Sequence, residues 1–227
     1  MRKVIKEYNV YKFDELEKYI KEKLLEKYME KESEFYCDYY LEDFLGEKAS
    51  DLLNDYFGIT SDYLNTYYDL SYCQGSGSVI EFDININDLN NKYQLFSSEE
   101  IRFLTDKGIV NDIKIRHNNS HYYHEYTFKI DFDYYDMGYM TYEECIEEDY
   151  KITENNFNTL ETRLYDLLND SNKHYTKSDF VKDIINMNKE LSNCGYSMLE
   201  DKEYFKERAL ETLNDLEFLE SGEEFYA

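Results

Sequence analysis

Three of the four histidines in this chain, His117, His121 and His124, fall in one short span, with Glu125 beside them. Neutral imidazole ligates zinc, and histidine titrates near physiological pH, so such a span raises both a metal site and an acid–base pair. Strand alternation argues against either. His117 and His124 share a face by parity and His121 sits at a turn, but Glu125 points away from His124, so one strand does not readily aim both at one ion. The expected role of these histidines is hydrogen bonding at the end of a sheet, with no metal and no cofactor.

A second stretch with chemical potential is SYCQGSGSV, residues 71–79, where Gln74, Gly75, Ser76 and Gly77 interrupt runs of tyrosine and β-branched residues. Its composition is that of a phosphate loop. It joins two strands, however, and opens no helix whose orphan amides would meet an anion, and the surrounding carboxylates oppose one. A hairpin turn is the expectation, because glycine reaches positive φ without steric cost. No G-x-G-x-x-G before a helix, Walker sequence, H-E-x-x-H or G-x-S-x-G occurs, so no catalytic residue is assigned and the chain is not expected to be an enzyme. Cys37, Cys73, Cys145 and Cys194 are far apart with no C-x-x-C pair, which predicts buried free thiols rather than a zinc knuckle or a disulfide framework.

The elements that must position these residues are legible from period. Phe13, Leu16, Ile20, Leu24 and Tyr28 form an apolar helical stripe. Phe44, Leu45, Leu52, Leu53 and Phe57 point inward from a second, acidic helix that should stop at Gly58. The period then changes to two: Tyr68, Leu70 and Tyr72, then Ile80, Phe82, Ile84 and Ile86, with Glu81, Asp83 and Asn85 facing away. Ile113, Ile115 and His117 oppose Tyr126, Phe128, Ile130, Phe132 and Tyr134 across a turn at Asn118, Asn119 and Ser120. Between the hairpins, SSEEIRFLTDKGIV reads as a helix capped by Ser97 or Ser98 that leaves at Gly108. Further stripes follow at Leu160, Leu164, Leu167 and Leu168, at Phe180, Ile184 and Met187, and at Tyr204, Phe205, Leu210, Leu213 and Leu216. The prediction is a single α+β domain over 1–227: helical over 1–60, an antiparallel sheet of about four strands with one inserted helix over 61–135, and an acidic helical region over 136–227, with Gly195 as a soft joint. A simple meander would bring Gln74, Ser76, His117, His121 and His124 to the same end of the sheet.

Charge limits what the molecule can touch. Fifty Asp and Glu against 25 Lys and Arg leave a net charge of −25 over 227 residues. A field of that sign repels nucleic-acid backbones and anionic lipid and speeds encounter with basic surfaces. The first 34 residues are nearly balanced, whereas FYCDYYLEDFLGEKASDLLNDYFG and DFDYYDMGYMTYEECIEEDY are almost purely acidic and rich in aromatic residues. The start reaches charge too soon for a signal peptide and no long apolar run follows, so a cytoplasmic location is expected.

YYDLSYCQGSGSVIEFDI, followed after a helix by IKIRHNNSHYYHEYTFKIDF, resembles a family of bacterial and phage proteins with a SLSYSQGDG or FWSQGDG turn and a later YYHE strand. Some of its members are labelled antitoxin components of toxin–antitoxin systems. The resemblance covers roughly residues 40 to 190 and implies little about activity. It departs at Ser76, where the family carries aspartate, and in the acidic C-terminal extension. The Ser76 change weakens any claim that the turn is catalytic or holds a metal.

What remains is binding. Carboxylates three or four residues apart on a helix lie about 5–6 Å apart, of the order of the roughly 3.4 Å between phosphates along one strand. The expectation is an acidic phage or mobile-element protein that inhibits a host defence protein by occupying its basic nucleic-acid-binding groove, as anti-CRISPR and DNA-mimic inhibitors do. Asp131, Asp133, Asp136, Tyr139, Tyr142, Glu143, Glu144, Glu147, Glu148 and Asp149 are the expected contact residues, and the tail from Glu200 to Tyr226 is a further acidic candidate. The alternatives are an antitoxin against a basic toxin and a histidine-dependent hydrolase or nuclease.

Overall fold

A computed structural model describes residues 7–71, 73–132, 142–143, 150–170 and 178–225. In chain order the elements are β1 (Tyr11–Lys12), a 3-10 turn (Phe13–Glu15), α1 (Lys18–Tyr39), α2 (Leu41–Phe57), β2 (Leu64–Asp69), β3 (Gly77–Asn85), α3 (Ile86–Tyr93) and α4 (Ser98–Asp106). They continue with β4 (Asp112–His117), β5 (Phe128–Phe132), α5 (Glu154–Asp170), α6 (Asp179–Leu199), α7 (Lys202–Asp215) and β6 (Glu217–Phe218). The chain divides into two compact units: Asp43–Gly195, and Met1–Glu42 with Tyr196–Ala227. One division follows Gly195, the residue marked in the sequence as a joint. That glycine is helical, and a Cβ there would lie 2.6 Å from Leu70 Cδ1, so close packing gives it a reason to be small.

The architecture is α+β. In the unit 43–195, β2, β3, β4 and β5 form an antiparallel sheet in the order β2-β3-β4-β5. Register pairs Thr66 with Ile80, Phe82 with Ile115 and Ile115 with Ile130, so the alternating apolar residues share one face. That face packs on helices: the Phe82 ring lies 5.3 Å from Phe57 of α2, which lies 5.9 Å from Phe180 of α6. Phe82 and Phe180 are fully buried, and each such side chain contributes about 1.5–3 kcal/mol relative to an exposed one. Leu160 and Leu164 of α5 and Ile184 and Met187 of α6 are buried as their stripes predict.

Two expectations are corrected here. Two helices, α3 and α4, separate β3 from β4, because Ile86 opens a helix capped by the Asn85 side chain instead of closing a strand. The outward residues of β3 are also more buried than alternation predicts: Val79 is fully buried and Glu81 is 6 % exposed. Pairing of β3 with β4 ends at Phe82↔Ile115, so the first half of β3 has β2 alone as a strand neighbour. Side chains of α6 replace the missing strand, the Ile80 amide donating to Asn188 Oδ1 at 2.9 Å and the Ser78 amide to Ser192 Oγ at 2.8 Å.

The second unit is built on the predicted N-terminal stripe. Phe13, Leu16, Leu24 and Tyr28 are buried with Ala209, Leu213 and Phe218, joining α1 to α7. Tyr28 donates its hydroxyl to Glu224 at 2.6 Å. The small β1–β6 sheet, Tyr11↔Phe218 and Lys12↔Glu217, has no counterpart in the sequence reading, since two residues carry no period.

Helix α4 opens with the predicted cap. Ser97 Oγ accepts from the Glu100 amide at 3.3 Å, and Glu100 Oε2 accepts from the Ser97 amide at 2.7 Å. Glu100 is only 2 % exposed, and its other oxygen is 2.5 Å from Arg163 of α5. Removing the guanidinium leaves a buried carboxylate without its cation, so Arg163→Ala should cost about 2–4 kcal/mol in urea unfolding. Lys206→Ala, which opens an exposed pair with Glu203, should cost about 0.5 kcal/mol or less.

Burial and a 3.0 Å hydrogen bond to Glu190 push the Tyr56 hydroxyl up to about 12. A raised folded pKa stabilises below the unfolded value of about 10 and is lost as pH rises through the folded one. The stability advantage of the native chain over Tyr56→Phe should therefore hold at neutral pH and decline between pH 10 and 12 in thermal melts.

Candidate functional site

The meander puts the β2–β3 and β4–β5 connections at one end of the sheet, and there they touch. The Ser76 amide donates to the Cys73 carbonyl at 3.1 Å, closing a four-residue turn with Gly75 at φ 95°. Ser76 Oγ accepts from the Cys73 amide at 2.9 Å, so this side chain serves as an acceptor inside the turn. Asp69, just before it, accepts from the Ser71 amide at 2.9 Å, and hydrogen bonds from Ser71 hold its carboxyl below the usual range.

The facing loop packs directly onto this turn. The Tyr123 amide donates to the Gly75 carbonyl at 3.0 Å. A Cβ on Gly77 would lie 2.7 Å from the Tyr123 carbonyl oxygen and 3.1 Å from His124 Cα, and one on Gly75 would run into the Tyr122 ring. The glycines therefore serve close approach of two backbones, and the turn is not an open cradle. Gln74 is exposed at its tip.

The histidines are distributed rather than convergent. His117 is buried, its Nε2 3.1 Å from the Tyr122 carbonyl and its ring 5.6 Å from Tyr67 and 5.0 Å from Tyr123. Its amide donates to Glu81 Oε1 at 2.8 Å, while Tyr63 donates to Glu81 Oε2 at 2.8 Å, a bond that raises the Tyr63 pKa. Both oxygens of this buried carboxylate are thus occupied. His124 Nδ1 accepts from the Tyr126 amide at 3.2 Å, and His121 is exposed. Among the described residues no three His, Cys, Asp or Glu side chains are grouped to hold a metal ion.

The YYHE segment is loop, not strand. With Asn119 left-handed at φ 58° and the Asn118 amide bonded to the Thr127 carbonyl at 3.1 Å, the connection runs to Thr127 and β5 begins at Phe128. Tyr126, expected to face inward, is 51 % exposed. The thiols also differ from expectation: Cys37 and Cys73 are exposed and Cys194 is half-buried. Tyr72, Tyr134 and Cys145 lie outside the described residues.

Of the expected acidic contact residues, Asp131 is exposed on β5 and 3.4 Å from Lys129, Glu143 is exposed, and Tyr142 is half-buried with its ring 6.2 Å from Phe157. Asp133, Asp136, Tyr139, Glu144, Glu147, Glu148 and Asp149 lie outside the described residues. The tail helix α7 is charge-compensated, with pairs Glu203–Lys206 at 3.2 Å and Arg208–Glu211 at 2.9 Å.

Among the described residues the clearest one-signed surface is on α2. Asp43, Glu47, Asp51 and Asp55 recur every fourth residue, all exposed, while Leu45, Ala49, Leu53 and Phe57 of the same helix are buried. Only Asp51 has a cation among the described residues, Lys48 at 3.4 Å, and the last turn carries no basic residue. At 1.5 Å rise per residue the row is about 18 Å long. Its spacing is plain in the sequence, and a count of fourth-residue carboxylates, rather than of total acids per stretch, would have found it.

No protein-family model, curated protein or solved structure matches the chain.

The turn contact and the α2 face yield opposite expectations for glycine replacement. Gly77→Ala forces a Cβ against backbone and should lose about 1–3 kcal/mol. Gly46 lies inside α2 with nothing within 4 Å of an added Cβ, so Gly46→Ala should gain about 0.5–1 kcal/mol. Urea unfolding of both variants checks the pair.

Proposed function

We propose that this protein is a non-enzymatic inhibitor whose acidic helical surface occupies a basic, nucleic-acid-binding groove of another protein, with antagonism of a bacterial host defence protein by a phage or mobile element as its setting. The carboxylate row on α2 carries the reading. It is exposed, of one sign but for Lys48, and held in direction by the buried face of its own helix. Each step of the row advances about 6 Å, so one carboxylate answers to about every second phosphate of a strand. The net charge of −25 supports a basic partner and disfavours direct contact with nucleic acid or anionic lipid. Among the described residues no helix is long and apolar enough to cross a membrane. The phage setting draws on the resemblance of the two turn motifs.

The test is capture of a partner from bacterial host lysate by the full chain, followed by binding at increasing salt and competition with the partner's nucleic acid. Binding should weaken steeply with salt and exclude the nucleic acid. Replacing Asp43 and Asp51 and Asp55 with Asn, and Glu47 with Gln, should weaken it at least about thirtyfold, taking about 0.5–1 kcal/mol for each lost contact. Salt-insensitive binding, or a complex that retains its full nucleic acid, overturns the reading. Capture of a basic toxin that is not a nucleic-acid-binding protein favours the antitoxin alternative.

A further inference from the structure

In the unit containing α1, aromatic rings gather at the helix's C-terminal end. Phe35, Tyr39 and Tyr40 are 46 %, 66 % and 50 % exposed. Both tyrosine rings meet Phe35, with centroids 4.7 Å apart for Phe35–Tyr39 and 5.7 Å for Phe35–Tyr40. Tyr36 anchors the group: its ring lies 6.0 Å from Tyr40 on one side and packs edge-on against Tyr204 at 5.8 Å and the buried Phe205 at 6.0 Å on the other. Single exposed aromatics are ordinary on a surface, whereas contiguous rings on a rigid anchor have the composition of an interface hot spot.

The electrostatics of this place select the kind of partner. Aromatic faces carry the negative side of a quadrupole, which attracts a cation. The last turn of α1 carries no basic residue that would compete for the rings. Lys31, one turn earlier, is engaged elsewhere, its ammonium 4.4 Å from the Tyr28 ring centroid and 3.9 Å from Glu224. Self-association through this patch would bring two chains of net charge −25 together. A cation is the complementary occupant, and among cations a guanidinium combines a planar face that stacks on rings with weak hydration and a fork that pairs with carboxylate.

We infer that the Phe35–Tyr39–Tyr40 cluster docks an arginine-bearing segment of the basic partner, the guanidinium stacking on these rings; the inference rests on the proposed function for the partner's being basic. It adds a selectivity that charge alone does not supply, since an acidic face attracts lysine and arginine alike.

Calorimetric titration of the full chain with a nona-arginine and a nona-lysine peptide, at low and moderate salt, tests it. The arginine peptide should bind about fivefold or more tightly than the lysine peptide, on the scale of an exposed cation–π contact. The triple replacement Phe35→Ala, Tyr39→Ala, Tyr40→Ala should bring the ratio to about one with lysine-peptide affinity unchanged, while Phe35→Tyr, Tyr39→Phe, Tyr40→Phe keeps the ratio. That second variant, with circular dichroism of both, separates loss of rings from loss of fold. Equal affinities for the native chain, or a ratio that survives the alanine variant, overturn the inference and leave the electrostatic reading standing if binding remains salt-dependent. Failure of both peptides to bind overturns both. A native dimer in light scattering that the alanine variant abolishes assigns the cluster to a second copy and also overturns it.

Discussion

Where β4 stops pairing with β3 at Phe82, buried amides at Ser78 and Ile80 face helix instead of strand. An unpaired buried amide costs about 1–3 kcal/mol, so this gap has to be filled by side chains of matching reach. Asn188 and Ser192 fill it from α6, and Ser78 returns a hydroxyl bond to the Asn188 carbonyl at 3.0 Å. On the other side of the gap Glu81 takes the His117 amide that β3 no longer pairs. The fit is incomplete at one atom: Asn188 Nδ2 is buried with no partner among the described residues. These substitutions for a strand explain why β3 is covered on both faces at this end, and why Val79 and Glu81 are buried against the alternation of their sequence.

The same gap decides the fate of the glycine turn. With β4 released from β3 beyond Phe82, the long β4–β5 loop meets the start of β3, and the Tyr123 carbonyl and His124 Cα come to the space above Gly77 that any side chain would need. His117 bonds a carbonyl, Glu81 has both oxygens accepting, and His124 spends Nδ1 on its own loop. His117, Glu81 and His124 thus each bond backbone of the sheet end or of its turns.

The four-strand meander, its register face and the helical stripes could be read directly, because period two and period 3.6 are written in residue type alone. Ile80, Phe82 and Ile84 share their face with Ile113 and Ile115 as alternation requires. Gly58 at φ 68° and the Ser97–Glu100 box end and begin helices where local chemistry says they should. What escaped reading is what depends on partners remote in sequence. Burial of Glu81 depends on Tyr63 and on the amide of His117. The β1–β6 pair depends on segments from opposite ends of the chain. The length of the β4–β5 loop depends on Asn119 adopting a left-handed conformation open to Asn but not demanded by it. The α2 row was present in the letters, but stretches weighed by acid content alone hide which acids share a face.

That row has a cost within its own helix. Like charges at i,i+4 destabilise a helix by about 0.2–0.5 kcal/mol for each pair, and Asp43, Glu47, Asp51 and Asp55 make consecutive pairs of that kind. Elsewhere the same composition is arranged to avoid the cost: α1 sets Lys18 against Glu22, and α7 sets Glu203 against Lys206 and Arg208 against Glu211. The core side of α2 can bear it, since burial of Leu45, Leu53 and Phe57 contributes several kcal/mol. Among the described residues, pairing within the chain relieves the row only at Asp51; under the proposed function a basic groove would supply several cations at once. The proposed docking does not require the row to copy a nucleic acid's charge density. It needs carboxylates at fixed spacing on a helix whose opposite face cannot turn away, and the burial of Leu45, Ala49, Leu53 and Phe57 provides that constraint.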